Sequence, residues 1–287
     1  MGNLEKLTIF SLILLLVWGN MVSGLGAGLA CPDWPLCFGK FFPELNFSIF
    51  MEHTHRILGL VVSIFFLFLA KNRLKTYVGK QKLLPILCGL LLLIQIIVGG
   101  LVVILQLETN ITTYHFGNAI IIFILIYIMC VFSNEKELKD AKIFSKENII
   151  YLLFFFVIYI QLVLGAYVRH SNAGLACPDF PKCLGYWVPP FLSGTVFVHL
   201  AHRFTGIFIL LFSTFLFILS YYQNTSATII KNLRNLLILI LFQVALGVFV
   251  VISRLAFSMT AVHLLIALFI LMVLLNIIFE NKKSLNA

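Results

Sequence analysis

The sequence predicts an all-α integral membrane protein in which eight transmembrane helices form two duplicated four-helix bundles. Of its 287 residues, 61% are hydrophobic and only 11% are charged, a balance typical of membrane proteins. The chain contains eight apolar runs of about 20 residues, the length that a helix needs to cross a bilayer. Helices are expected because lipid offers no hydrogen-bond partner to an open backbone. The eight predicted segments are 7–25, 49–70, 83–105, 113–133, 148–168, 196–221, 233–253 and 257–279.

A long internal repeat predicts the duplication. Residues 27–37 read AGLACPDWPLC, and residues 173–183 read AGLACPDFPKC. The third and seventh segments also match, as IQIIVGGLVVI at 94–104 and FQVALGVFVVI at 242–252. Glycine and glutamine recur in these segments and in the fifth, where we interpret them as residues of helix packing.

Each half is expected to be a four-helix bundle that can hold a cofactor between facing helices. Both halves begin on the same side of the membrane, so their pseudo-twofold axis would run along the membrane normal. The predicted organisation is a first half at 1–133, a charged connector at 134–148 and a second half at 149–287.

Basic residues lie in alternate connections between the predicted helices. They are Lys71, Arg73, Lys75, Lys80, Lys82, Lys136, Lys139, Lys142, Lys146, Lys231, Arg234, Lys282 and Lys283. The positive-inside rule therefore predicts a multi-pass protein of the cell membrane with both termini in the cytoplasm and both Cys-Pro-Asp loops on the outer side. The net charge of +9 thus indicates topology rather than nucleic-acid binding. The first segment also fits a signal peptide, but we expect it to be retained because it corresponds to the fifth segment.

The repeated loops each carry two cysteines, for which we predict the local disulfides Cys31–Cys37 and Cys177–Cys183. Disulfides persist on the outer side of the membrane. The alternative is a metal site or a redox-active dithiol, and no loop histidine recurs in both copies to support a metal. The other two cysteines fall inside membrane segments and are predicted to pack there: Cys88 and Cys130.

Four histidines recur by position, in the second, fourth, sixth and eighth segments: His55, His115, His202 and His263. Ionisable residues at membrane depth indicate functional sites. A closed zinc site would need four ligands at one point, whereas two histidines from two helices can supply both axial ligands of a heme. We therefore predict one heme in each half and no other metal site.

Two arginines directly follow predicted ligands, Arg56 after His55 and Arg203 after His202. Each can pair with a heme propionate. The alternative is an arginine that extends to the membrane interface.

Glu52 breaks the symmetry of the two halves. It lies three residues before His55, on the same helix face, and His199 occupies the equivalent position in the second half. A carboxylate beside one heme can exchange protons, so the first half is the predicted site of chemistry and the second an electron carrier. A solvated, inactive carboxylate is the alternative. No role is assigned to His53, His170 or His199.

This combination of residues resembles the heme A synthase family across nearly the whole chain, and AGLACPDWPLC is by itself a strong mark of that family. The resemblance implies oxidation of a methyl group of heme O to a formyl group, through two hydroxylations, to give heme A for cytochrome oxidase. It implies that His202 and His263 ligate a resident heme b, and that His55 and His115 bracket the substrate heme O. Glu52 would then act on the reacting methyl group, as a proton acceptor or by stabilising positive charge.

The resemblance also bears on the loops and on partners. Cys31–Cys37 resembles a pair that some members need for activity, and Cys177–Cys183 resembles a structural pair. One departure is Met21-Val22-Ser23, where the second copy has Tyr167-Val168-Arg169 and so an additional arginine. The implied partners are heme O, a heme O synthase, cytochrome oxidase assembly factors and membrane lipid. A homo-oligomer is compatible with the sequence.

Two other functions fit parts of the pattern. A diheme membrane cytochrome b for electron transfer would explain four histidines, but it would not explain Glu52 or the outer cysteines. A heme carrier or assembly factor without catalytic activity would bind heme in the first half and would need no carboxylate there. Replacement of Glu52 distinguishes the enzyme from both.

Overall fold

A computed structural model describes residues 1–141, 143–192, 194–223 and 225–281. Three lysines of the predicted charge pattern, Lys142, Lys282 and Lys283, lie outside the described residues. Eight of the described helices are long and apolar enough to cross a membrane. The β-structure of this part of the chain consists of two isolated bridges, Cys37 with Lys40 and Cys183 with Tyr186. The predicted all-α membrane fold is confirmed.

The first compact unit spans Met1–Lys139. Its membrane helices are α1 (Asn3–Gly24), α2 (Phe47–Thr76), α3 (Leu83–Ile104) and α4 (Thr109–Val131). Helix α1 packs against α2 and α4, and α3 packs against α4. Since α4 is the most buried of the four, it forms the centre of this bundle.

The second compact unit spans Asp140–Ala287. The boundary falls in the predicted connector, within the short helix α5 (Glu135–Asp140). The membrane helices of this unit are α6 (Ile149–His170), α7 (Gly194–Tyr222), α8 (Ala227–Ile252) and α9 (Phe257–Glu280). Helix α9 packs against α8 and α6, α7 packs against α6 and α8, and α9 is the most buried.

Polar side chains make several helices longer than their apolar runs. Helix α2 continues to Thr76 because the buried Arg73 is satisfied: its Nε donates to the carbonyl of Met129 at 2.7 Å, and its Nη2 pairs with Glu5 at 2.6 Å. Helix α4 begins early, at Thr109, because the Glu108 carboxylate accepts the N–H of Ile111 at 2.8 Å and caps the helix.

In each unit, a leucine packs against a glycine at the end of the bundle that carries the cysteine loop. Leu107 and Leu255, which follow α3 and α8, have positive φ angles of 61° and 65°. A Cβ added to Gly28 would lie 3.2 Å from Leu107, and one added to Gly174 would lie 2.8 Å from Leu255. Each cysteine loop is therefore held against the neighbouring helical hairpin of its own unit.

Candidate functional site

The two cysteine loops have the same internal structure. The sulfur atoms of Cys31 and Cys37 are 2.04 Å apart, and those of Cys177 and Cys183 are 1.95 Å apart, so the structure forms both predicted disulfides. All four cysteines are buried. The membrane-segment cysteines are reduced and buried as well.

An aspartate organises the turn inside each loop. The carboxylate of Asp33 accepts the N–H groups of Phe38 at 2.6 Å and Gly39 at 2.7 Å. The N–H of Gly39 is the main reason that the pKa of Asp33 lies below its ordinary value. Asp179 repeats this arrangement in the second loop, with its pKa also lowered.

Arg56 and Arg203 hold the two cysteine loops through hydrogen bonds to loop carbonyls. Arg203 donates to the carbonyls of Asp179 at 2.9 Å, Lys182 at 3.0 Å and Cys177 at 2.6 Å. Arg56 donates in the same way to loop carbonyls of the first unit, at Cys31, Asp33, Pro35 and Leu36. Both guanidinium groups are thus engaged with their cysteine loops, and their predicted pairing with heme propionates stays a prediction.

Glu52 is buried, with 4% of its surface exposed, and both of its oxygens accept a hydrogen bond. One oxygen accepts the backbone N–H of Cys31 at 2.8 Å, and the other accepts Nη2 of Arg56 at 2.6 Å. Charge-assisted bonds of this length are strong, and together they hold a negative charge in one orientation. The carboxylate is therefore not solvated, and it is bonded to the backbone of Cys31, which forms the disulfide with Cys37.

The second unit lacks this arrangement because His199 replaces the glutamate. His199 is buried, and its Nδ1 lies 2.9 Å from the carbonyl of Ala173. Arg203 consequently has loop carbonyls as acceptors and no carboxylate from this position. The asymmetry seen in the sequence is also an asymmetry of hydrogen bonding.

The four repeated histidines share one packing contact. Each imidazole lies with its Cε1 against a glycine of the helix that precedes it in the chain. A Cβ built on that glycine would approach Cε1 to 2.8 Å for Gly19 and His55, 3.1 Å for Gly99 and His115, 2.9 Å for Gly165 and His202, and 3.4 Å for Gly247 and His263. We call these four residues the ring-contact glycines. The sequence predicted a role in helix packing for Gly99, Gly165 and Gly247, and none for Gly19.

Two of the four histidines accept a hydrogen bond at their backbone carbonyl from a glutamine side chain of the preceding helix. Gln95 donates to the carbonyl of His115 at 3.0 Å, and its side-chain nitrogen also lies 3.2 Å from Nε2 of the ring. Gln161 donates to the carbonyl of His202 at 2.9 Å. The sequence signal for these contacts was the glutamine four residues before a glycine, in segments whose repeat matches that of the histidines.

The donor atoms of these histidines suit a porphyrin iron. The Nδ1 atoms of His55, His202 and His263 are buried, and within the described residues they have no hydrogen-bond partner. His202 and His263 lie close enough to interact electrostatically. Buried polar atoms are normally satisfied, so these rings have a nitrogen left over and could take part in holding a heme. The same property is not specific to them, since His53, to which no role is assigned, has two buried nitrogens of this kind. In the described part of the chain, no three His, Cys, Asp or Glu side chains come together to hold a metal ion by themselves.

Comparison with known proteins identifies the family of the chain. Proteins named heme A synthase are similar over most of the chain. The one from Halalkalibacterium halodurans is 30% identical, covering 97% of this chain and 96% of that protein. Those from Alkalihalophilus pseudofirmus and Bacillus pumilus are 30% and 29% identical over 91% of this chain, and 90% and 88% of their own lengths are covered. The family COX15-CtaA, described as cytochrome oxidase assembly protein, matches residues 44–275. The resemblance found in the sequence is confirmed, and the chain belongs to the COX15-CtaA family.

Proposed function

We propose that this protein is a heme A synthase, which oxidises one methyl group of heme O to a formyl group. The observation that carries the proposal is Glu52, a buried carboxylate held by the Cys31 N–H and the Arg56 guanidinium on the same helix as His55. Membership of the family and the relatives named heme A synthase support the same activity.

We place the substrate heme O between His55 and His115, and a resident heme b between His202 and His263. The recurrence of the four histidines at matching positions of the repeat supports the assignment, as does the ring-contact glycine beside each imidazole. A heme ligated by two histidines supplies a site that can accept electrons and pass them on.

Glu52 handles the charge and protons of the reaction. A carboxylate has about four lone-pair sites, of which Cys31 and Arg56 occupy one on each oxygen, so both oxygens can still accept a proton or a substrate hydroxyl. Oxidation of a methyl group releases protons and develops positive charge. An oriented carboxylate can accept a proton and can stabilise the positive charge. His199 is bonded to a backbone carbonyl instead, so the second unit carries electrons rather than performing the oxidation.

The protein crosses the cell membrane with both termini in the cytoplasm and the cysteine loops outside. The alternation of basic and lysine-poor connections supports this orientation. The two buried disulfides support it too, since disulfides persist on the oxidising side. A heme O synthase would supply the substrate, and assembly of cytochrome oxidase would consume the product.

The test is a chromatographic heme profile of membranes in which this protein is produced together with a heme O synthase, in a host that lacks heme A. Heme A that appears only when the chain is present establishes the activity. Heme B and heme O alone, bound to a folded protein, would refute it and would favour a diheme cytochrome or a heme carrier.

A further inference from the structure

The ring-contact glycines differ from Gly59 and Gly89, two other glycines of the membrane helices, in the space beside them. At Gly19 and Gly165, a Cβ would come within 3.0 Å of a histidine Cε1, a distance that packed carbon atoms do not adopt. In contrast, a Cβ on Gly59 of α2 would meet nothing within 4 Å, and one on Gly89 of α3 would make ordinary contacts at 3.7 Å. Close approach to an imidazole is therefore a property of particular glycines.

The contact constrains the position of the ring. At Gly19, the would-be Cβ lies 2.8 Å from Cε1, 3.3 Å from Nδ1 and 3.4 Å from Nε2 of His55. The glycine therefore lies against the Cε1 end of the ring, about midway between the two nitrogens. A methyl group there would have to push the ring away and turn both nitrogens with it.

A second observation links these helix pairs to the histidines. Gln95 and Gln161 each lie four residues before a ring-contact glycine and donate to the carbonyl of the histidine that the glycine contacts. The glutamine carboxamide fixes the position of the histidine backbone along the helix axis, and the glycine leaves room for the imidazole ring. In α1, Leu15 lies four residues before Gly19, where the other helices have glutamine. His55 therefore has the contact with Gly19 but no such hydrogen bond from a glutamine of α1.

We propose that Gly19, Gly99 and Gly165 are positioning residues for heme ligation, because their bare Cα atoms fix the direction in which each imidazole presents its nitrogen. Gly247, whose contact with His263 is almost ordinary, is not included. The inference rests on the proposed function only in taking the four histidines as heme ligands. The contact distances also set an order: substitution by alanine is most disruptive at Gly19 and Gly165, and least disruptive at Gly247, where the contact of 3.4 Å is almost ordinary.

The experiment compares Gly165→Ala with Gly247→Ala in the purified full-length protein. We expect Gly165→Ala to lose the low-spin absorption of the resident heme, or to shift its midpoint potential, because the His202 ring is displaced. Gly247→Ala keeps a spectrum close to that of the unchanged protein. Gly59→Ala is the matched control, because alanine there meets open space and is a better helix former than glycine.

Gly19→Ala provides the test if Gly165→Ala does not fold. The resident heme of the second unit then reports folding, and its spectrum should be unchanged, while the heme O plus heme A bound per protein falls several-fold. An unaltered spectrum and potential in Gly165→Ala, or unaltered heme O plus heme A in Gly19→Ala, would overturn the proposal.

The readouts separate the two claims. If the unchanged protein makes no heme A but Gly165→Ala still loses the low-spin signal, the proposed activity fails and the positioning role stands. If heme A is made and the glycine variants behave like the unchanged protein, the positioning role alone fails.

Discussion

Replacement of Arg56 by alanine tests whether this residue holds the Glu52 carboxylate in place. Arg56 and Arg203 make similar bonds to the carbonyls of their loops. Arg56 also pairs with Glu52 at 2.6 Å, whereas the second unit has His199 at the position of the glutamate. Arg203→Ala is therefore a matched control that removes the loop bonds of the second unit without leaving a carboxylate unpaired.

The size of the difference follows from burial. The side chains of Arg56 and Glu52 are 14% and 5% exposed, so the pair is largely removed from solvent. Removal of one partner from a buried pair costs about 3–5 kcal/mol, and the partial exposure of Arg56 favours the lower end, about 3 kcal/mol. At about 2–4 °C per kcal/mol, Arg56→Ala should lower the melting temperature by roughly 6–12 °C more than Arg203→Ala.

The assay is thermal unfolding in one detergent at one scan rate, followed by circular dichroism. The double variant Glu52→Gln/Arg56→Ala should recover much of the loss, because no buried charge is then left without a partner. Equal melting temperatures for Arg56→Ala and Arg203→Ala, together with no recovery in the double variant, would refute the reasoning.

Three further predictions concern other parts of the molecule. Replacement of either His202 or His263 by alanine should abolish the low-spin heme spectrum of the purified protein, since we propose each of them as one of two axial ligands. Asp33 has a lowered pKa in the folded loop, so its stabilising effect should be full at neutral pH and be lost as pH falls below about 4; hydrogen exchange of the loop amides should show this loss, and Asp33→Asn should remove the dependence. A Cβ on Gly100 would lie 2.9 Å from the Trp34 ring, so Gly100→Val should displace that ring and increase the quenching of its fluorescence by acrylamide. The double variant Trp34→Phe/Gly100→Val should be tolerated, because the second half has phenylalanine and valine at the equivalent positions.

Hydropathy was enough to predict all eight membrane helices, because the bilayer requires a long apolar run whatever the tertiary contacts are. The ends of the helices were less predictable. Helix α2 extends past its apolar run because Arg73 finds acceptors on two other helices, and α4 starts early because of the cap by Glu108. Such contacts depend on which segments meet in space.

The repeat indicated the residues of the proposed site, but it did not predict what they touch. Glu52 was recognised because His199 replaces it, whereas its bond to the Cys31 N–H required the loop to fold back over α2. The contact of Gly19 with His55 depends likewise on the register between two packed helices. A period along one helix cannot encode that register, since the residues concerned are far apart in the chain.

The central claim is that the Glu52 carboxylate makes the first unit the site of oxidation. It is tested most directly by the heme content of purified Glu52→Gln, produced with a heme O synthase in a host that lacks heme A. Glutamine keeps the size of the side chain and can still accept the Cys31 N–H, but it cannot hold the negative charge. The account predicts bound heme B and heme O, an unchanged low-spin spectrum and no heme A. Heme A at the level of the unchanged protein would contradict it.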